Sequence, residues 1–360
     1  MCFMNGKKIT DIGRSVGWMR CGGISEVVYN GTRLWSKYLF KRVVVVGDST
    51  IGFAFSKDDG STFTRVAIGG SHRNLKAVKR IGNAVYVAGD GGLIAKTTDL
   101  DSFATWTVLT GDSSLNYIDI CEGGGNIVIL AEGNKCSIGT TSATTFTTVS
   151  MPGTNLGPMA YGNGTFVSPS GTYNGNGAYS TNGGQTWTAV KVCATKRHQP
   201  SGWPPEVYPC RNICFGNGYF FAASGVWDGS NNHYEYSYSA DGKTWHVVPT
   251  DTGSWDANFC YREVSFFFNG YFYALDFRDF DAVDSTRIAE GTKKYGITWD
   301  FTQEKYSAFA LGNLALVASC GGYMENGNWL GVYRDEISDG ACQFVKKIEL
   351  EGTIREVLAI

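Results

Sequence analysis

Short apolar runs, most of them entered through a polar turn rich in Gly and Asn, recur along the chain. They read RVVVVGD, IGNAVYVAGD, GGGNIVILAE, YGNGTFVSPS, FGNGYFFAAS, FFNGYFYALD and LGNLALVAS. Val, Ile, Phe and Tyr dominate them, and each is too short for a helix before the next turn signal intervenes, so each predicts a β-strand. Taking one equivalent position per run (Val46, Ala88, Leu130, Ser168, Ala222, Ala274, Ala318), the steps are 42, 42, 38, 54, 52 and 44 residues. Their mean, roughly 45, is the ~40 to 50 residues of one four-stranded propeller blade.

Each repeat has the internal order of a blade. LKAVKRI (strand A) turns into AVYVAGD (B), then GLIAKTT (C), then TWTVLT (D); in the fourth repeat the pieces are GPMAY, TFVSPS, GAYS and TWTAVKV. The first repeat supplies RVVVVGD, GFAFS and FTRVAI but no A strand, while the chain finishes on TIREVLAI, which looks like one. Closing a ring removes its two open edges. The expected fold is therefore all-β: a seven-bladed β-propeller over 38–360, with Thr353 to Ile360 completing blade 1 and a short β extension over 1–37.

Composition agrees with many short strands. There are 47 Gly, 14% aromatic residues and only 18% charged residues, a bias toward tight turns and strands over helices. Charge is balanced at 31 basic against 33 acidic residues, and no Lys/Arg run is dense enough to hold a phosphate backbone, so nucleic acid is not an expected partner. No segment approaches the roughly 20 apolar residues of a membrane span, and MCFMNGKKITDIGRS lacks a signal-peptide core; the reading is a soluble chain made in a cytoplasm, with no membrane insertion. Most of the ten cysteines sit in strand-like runs such as YIDICEGG and NICFGNG, as small buried hydrophobes. Cys210 and Cys214 form the closest pair, at C-x3-C spacing. His72, His198, His233 and His246 supply no matching second half, so neither a metal nor a cofactor is expected.

A polar turn also repeats. SKDDGSTF contains Ser56, Asp58, Gly60, Thr62 and Phe63; STNGGQTW contains Ser180, Asn182, Gly184, Thr186 and Trp187; SADGKTW, one residue shorter, contains Ser239, Asp241 and Trp245. TTDLDSFATW and TTSATTF look like decayed copies. The pattern Ser-x-Asp-x-Gly-x-Thr-Trp resembles the Asp-box, or bacterial neuraminidase repeat, of sialidase-like propellers, and that resemblance implies the fold. Its chemistry is structural: the Asp or Asn oxygen accepts N–H bonds within the turn, Gly supplies positive φ, and the aromatic residue packs between blades.

Sialidases of this fold place three arginines on a carboxylate, the first usually in a Phe/Tyr-Arg-Ile-Pro sequence. This chain has FKRVVV there, without the proline, and Arg262 and Arg278 stand isolated. No P-loop, G-x-S-x-G, H-E-x-x-H or Ca-loop signature is present. A non-enzymatic role is expected; in the alternative, a sialidase-like glycan hydrolase, Arg278, Asp279, Asp281 and Tyr323 would supply the chemistry.

Connection lengths point to a contact surface. The B-to-C loops of the first three blades are minimal, whereas CATKRHQPSGWPPEVYPC, GVWDGSNNHY, TDTGSWDAN, DFRDFDAVDS and CGGYMENGNW enlarge D-to-A and B-to-C connections of blades 4 to 7. All belong to one face, and recognition concentrates on such loops. Trp203, Tyr208, Trp227, Asp228, His233, Trp255, Arg278, Asp279, Asp281 and Tyr323 are its candidate residues, suited to stacking on a sugar or to a protein contact; loops packed on one another as a cap are the alternative.

At the N-terminus, EVVYNGTRLW carries the Asn-Gly signal of a hairpin and resembles short attachment modules of bacteriophage tail and fibre-associated proteins. That likeness implies a virion component, docked to other virion proteins through 1–37 and presenting the propeller to a host-surface glycan or protein. A lid packed under the propeller is the competing reading of 1–37. A third reading of the whole chain is an assembly factor resembling the Asp-box propeller that helps build photosystem II.

Overall fold

In a computed structural model, the structure describes residues 2–4, 7–9, 26–29, 32–36, 42–58, 60–172, 175–193, 210–227, 232–248, 264–268, 270–275, 280–290, 293–295, 305–311, 314–319, 328–336, 341–350 and 354–360. The described residues form seven four-stranded antiparallel sheets, one for each repeat. Blade 1 runs Ile354–Ala359, Val43–Gly47, Phe53–Ser56, Thr64–Val66, from the inside out. Blade 2 is Leu75–Ile81, Ala84–Gly89, Ile94–Thr97, Thr107–Leu109, and blade 3 is Tyr117–Gly123, Asn126–Ala131, Lys135–Thr140, Thr147–Ser150. Blade 4 comprises Ala160–Gly162, Thr165–Ser168, Gly177–Ser180 and Thr188–Val190; blade 5 comprises Cys210–Gly216, Tyr219–Trp227, Asn232–Ser239 and His246–Val247. Blades 6 and 7 are Val264–Phe268, Tyr271–Leu275, Phe280–Asp284, Lys293–Tyr295 and Lys305–Leu311, Leu314–Ser319, Asn328–Glu336, Ala341–Leu350.

Each innermost strand lies beside that of the next sheet, and Ile354–Ala359 lies beside those of both blade 2 and blade 7. The architecture is all-β and propeller-like. The C-terminal strand completes the first four-stranded sheet, pairing Ile354 with Gly47 and Ala359 with Val43. Reciprocal bonds of 2.9 Å, Arg42 N–H to the Ile360 carbonyl and Ile360 N–H to the Arg42 carbonyl, extend that ladder.

The core lies between sheets. B strands have partners on both faces and read as continuous apolar runs; Val43 to Val46 and Ile127 to Leu130 are all fully buried, as a strand covered on both sides requires. Apolar clusters each draw on two adjacent blades: Val44, Phe53, Val78 and Val87 join blades 1 and 2, and Val128, Leu130, Met159 and Phe166 join 3 and 4. Outermost strands such as Thr64–Val66 and Thr188–Val190 are short and mostly exposed, which limits the edge they offer to other chains.

The repeated polar turns sit at C-to-D corners. Ser56 Oγ accepts Gly60 N–H at 2.7 Å and donates to Asp58 Oδ1 at 2.6 Å; Asp58 in turn accepts Thr62 N–H at 2.8 Å. Ser180, Asn182, Gly184 and Thr186 repeat the network at 2.9, 2.9 and 3.0 Å, and Ser239 and Asp241 repeat it in the shorter copy. Gly60, Gly184 and Gly242 have φ of 88°, 89° and 74°. At Gly242 a Cβ would also come 2.5 Å from Val167 of the preceding blade, so two demands select glycine there. Trp187 and Trp245 pack into the clusters joining blades 3 with 4 and 4 with 5. The blade 2 turn keeps more of this chemistry than its sequence advertises: Asp99 accepts N–H bonds from Asp101, Ser102 and Ala104. Hydrogen bonds, those from Ser102 first, hold its carboxyl well below the usual range.

Three elements differ from expectation. GVWDGSNNHY is not a loop throughout, because Gly225–Tyr234, Val226–His233 and Trp227–Asn232 continue the pairing of the blade 5 hairpin. Asp281 lies within a strand, opposite Ala274 and Tyr295, and Asn328 and Trp329 begin another. In blade 5 the returning arm alternates Tyr234, Tyr236 and Tyr238 with Glu235, Ser237 and Ser239, a period-2 pattern whose pairing runs on into sequence that the turn residues mark as loop. Blade 6 replaces the polar corner with a 3-10 turn at Ser285–Glu290.

Candidate functional site

The innermost strands surround a central cavity of about 410 Å³, within the range of small-molecule pockets. Its charged lining comes mainly from blades 1, 2 and 3 and includes Lys79, Asp119, Glu122 and Glu356. A bulge near the start of the inner strand recurs in blades 1, 2, 3, 5 and 7. In blades 1, 3 and 5 the residue following it is Glu356, Asp119 or Asn212.

These side chains join blades. Glu356 Oε2 accepts Val78 N–H of blade 2 at 2.6 Å, and Asp119 Oδ2 accepts Met159 N–H of blade 4 at 2.6 Å. Asn212 Oδ1 accepts the Ser265 hydroxyl of blade 6 at 3.4 Å. Each bond satisfies a group at the seam between neighbouring sheets, where no strand partner is available. Sequence reasoning missed the device, although the signal was present: YID, CRN and IRE occupy equivalent places in their A strands.

Burial raises the Asp119 carboxyl above its ordinary range, against the Met159 N–H and the charge of Lys79. Glu356 is pushed up to about 8, by burial first and then by the charge of Asp119. Lys79 is open to the water of the channel yet ringed by protein. Burial disfavours its charge, but Cys121, Glu356, Asp119 and Glu122 more than offset this and hold its ammonium above the usual lysine value. The cavity therefore contains a carboxyl that gains and loses a proton near neutrality.

A raised acid pKa means that the folded state binds the proton more tightly than the unfolded one. Its stabilisation is complete below the ordinary value of 4.5 and is lost as pH rises through about 8. Asp119 acts in the same direction. The melting temperature is thus expected to fall between about pH 5 and pH 8, and Glu356→Gln, which keeps an acceptor for Val78, to flatten that slope. Thermal melts of both proteins across this range check it; parallel slopes would refute the assignment.

On the B-to-C face, Lys76 Nζ bridges the blade 2 and blade 3 corners, 2.8 Å from Asp90 and 2.7 Å from Glu132. Asn74 donates to Asp90 at 3.1 Å and Asn116 to Glu132 at 3.3 Å. The cluster ties two short corners together through charge.

Of the predicted contact residues, Trp227, His233 and Asp281 are in described strands. All three stand at B-to-C ends: Trp227 closes Tyr219–Trp227, His233 follows the first residue of Asn232–Ser239, and Asp281 follows the first of Phe280–Asp284. Trp227 and His233 occupy adjacent rungs of one hairpin. Trp203, Tyr208, Asp228, Trp255, Arg278, Asp279 and Tyr323 lie outside the described residues. Among the described residues no group of three or more His, Cys, Asp or Glu is placed to hold a metal ion.

No protein-family model matches the chain, and no curated protein matches it. Solved structures do. The computationally designed Ika8 protein aligns with 87% of this chain and 86% of its own, at a TM-score of 0.53 and 11% identity. A chain of the Mitotic Checkpoint Complex aligns over 76% of this chain and 79% of its own, at 0.52 and 11%. YCF48 from Cyanidioschyzon merolae aligns over 75% and 84%, at 0.49 and 12%. At such identities the likeness to the first two is one of fold alone.

Proposed function

We propose that this chain is a non-enzymatic bacteriophage virion protein, an Asp-box-type propeller that attaches to the particle through 1–37. Its B-to-C and D-to-A connections of blades 4 to 7 contact a protein or glycan on the host surface. The observation that carries the reading is the separate pairing of Glu26–Tyr29 with Thr32–Ser36. This hairpin is a two-stranded sheet of its own, separate in strand pairing from the seven four-stranded sheets, as an attachment element independent of the propeller would be. Supporting it, the blade 5 hairpin gains three rungs of pairing beyond Ser224–Glu235, or about 10 Å at 3.4 Å per residue. A paired ribbon fixes the backbone at Trp227 and His233, which leaves less entropy to lose on binding than a free loop would.

The cavity chemistry fits a scaffold. Asp119 and Glu356 each commit an oxygen to a neighbouring blade's backbone, so their side chains act as seams. The test is a chain lacking residues 1–37, produced alongside the full chain in infected cells. The shortened chain is expected to fold, by circular dichroism, and to be missing from purified particles. Its recovery in particles at the full-length level would refute attachment through this segment.

A further inference from the structure

Blade 4 ends and blade 5 begins on a pair of cysteines. The connection 194–209 leaves after Cys193 and returns at Cys210, and both ends are fixed on one corner of blade 4. Cys210 N–H donates to the Ser170 carbonyl at 2.8 Å. Val192 packs on the same hairpin, its Cγ2 2.6 Å from where a Cβ on Gly177 would stand.

The two thiols are neighbours as a result. Cys193 and Cys210 are 2% and 1% exposed in one apolar cluster with Ile213 and Phe220, their sulfurs within side-chain hydrogen-bonding reach. Cys210 Sγ also donates to the Asn212 carbonyl at 3.1 Å. Sequence spacing paired Cys210 with Cys214, but Cys214 packs instead against the cluster joining blades 5 and 6.

We propose that Cys193 and Cys210 are a reversible dithiol–disulfide couple that closes the base of the 194–209 connection. The oxidant is a small-molecule disulfide of the glutathione type. One cysteine gives up its proton and its sulfur attacks the oxidant, whose S–S bond breaks to release one thiolate and leave a mixed disulfide. The second cysteine then loses its proton and attacks that mixed disulfide, forming the protein S–S bond and releasing the second thiolate. Both released thiolates take up the protons, so two protein thiols are oxidised and one small disulfide becomes two thiols.

Thiolate is the attacking species. The contact between the two cysteines and their burial keep Cys210 protonated in the closed fold, so exchange in the native protein waits on local opening and is faster during folding. In a reducing cytoplasm the pair stays reduced; in an oxidising exterior it closes and stays closed. Once formed, the bond restricts the unfolded chain and fixes where the connection carrying Trp203 and Tyr208 starts and ends.

The full-length protein is refolded, and separately incubated folded, in oxidised glutathione, then denatured, alkylated and digested with trypsin. The expected product links the peptides 192–196 and 198–211 with a loss of two hydrogens and separates on reduction. The oxidised protein melts at higher temperature than the reduced one, and Cys193→Ser abolishes both effects. Full alkylation of both cysteines after oxidative refolding, stable glutathione adducts on both, or disulfides to other cysteines instead would each overturn the proposal. None of these readouts depends on a partner, so the result stands apart from the virion reading.

Discussion

A chain ending at residue 352 is expected not to fold. The lost strand, Ile354–Ala359, pairs along the whole of Val43–Gly47, and Ile354, Val357 and Leu358 are 0 to 2% exposed. Burying three such side chains is worth about 1.5–3 kcal/mol each, a sum comparable with the ~5–15 kcal/mol that separates most folded domains from unfolding. The truncation would also expose an edge whose valines, Val43 to Val46, are fully buried in the closed ring. An open, apolar, unpaired strand is a template for aggregation. Gel filtration and far-ultraviolet circular dichroism should show an aggregated or unfolded product, and the peptide 353–360 added in trans should restore soluble protein. A truncated chain that melts like the intact one would mean that the ring does not depend on this closure.

That closure was legible in sequence because it rests on a local signal at each end. RVVVVGD lacks an inner partner and TIREVLAI lacks an outer one, and the mean repeat of roughly 45 residues leaves one gap for them to fill. The Ser-x-Asp-x-Gly turns were equally readable, since their bonds run between residues two to four apart. Connections were read less well. Turn residues in DGSNN outweigh the alternating pattern that follows them, so the sequence predicts loop where Trp227 and His233 lie in paired strand. What sequence concealed lies between blades. Asp119 meets Met159 and Glu356 meets Val78 only because the ring sets neighbouring inner strands side by side, and no local propensity encodes that register. The contact-face residues remain a sequence-based proposal, with Trp227, His233 and Asp281 placed on one side of the fold and the others outside the described residues.

The second large effect is expected at a set of contacts also hidden between blades. Gly123, Gly162 and Gly216 lie at the ends of inner strands in blades 3, 4 and 5. A Cβ on each would come within 2.1 Å of the ring of Tyr161, Phe215 or Phe267 respectively, the aromatic residue of the next blade. Tyr161 precedes Gly162 and Phe215 precedes Gly216, so each blade both covers its neighbour's glycine and offers its own, forming a staircase around the ring. None of these three glycines has the left-handed φ that would itself demand glycine, so a substitution is opposed by the ring alone. Gly216→Ala must displace Phe267 from its tilted contact with Phe272, whose ring centroid lies 5.1 Å away, and is expected to cost about 1–3 kcal/mol, toward the upper end because the overlap is with the base of the ring. Phe267→Ala alone loses packing, but in the double variant the overlap disappears with the ring. The two changes should therefore be non-additive, the pair being more stable than the sum of the singles by about 0.5–3 kcal/mol. Urea denaturation of the four proteins measures this coupling, and additive losses would show that the glycine is not selected by the aromatic ring of the next blade.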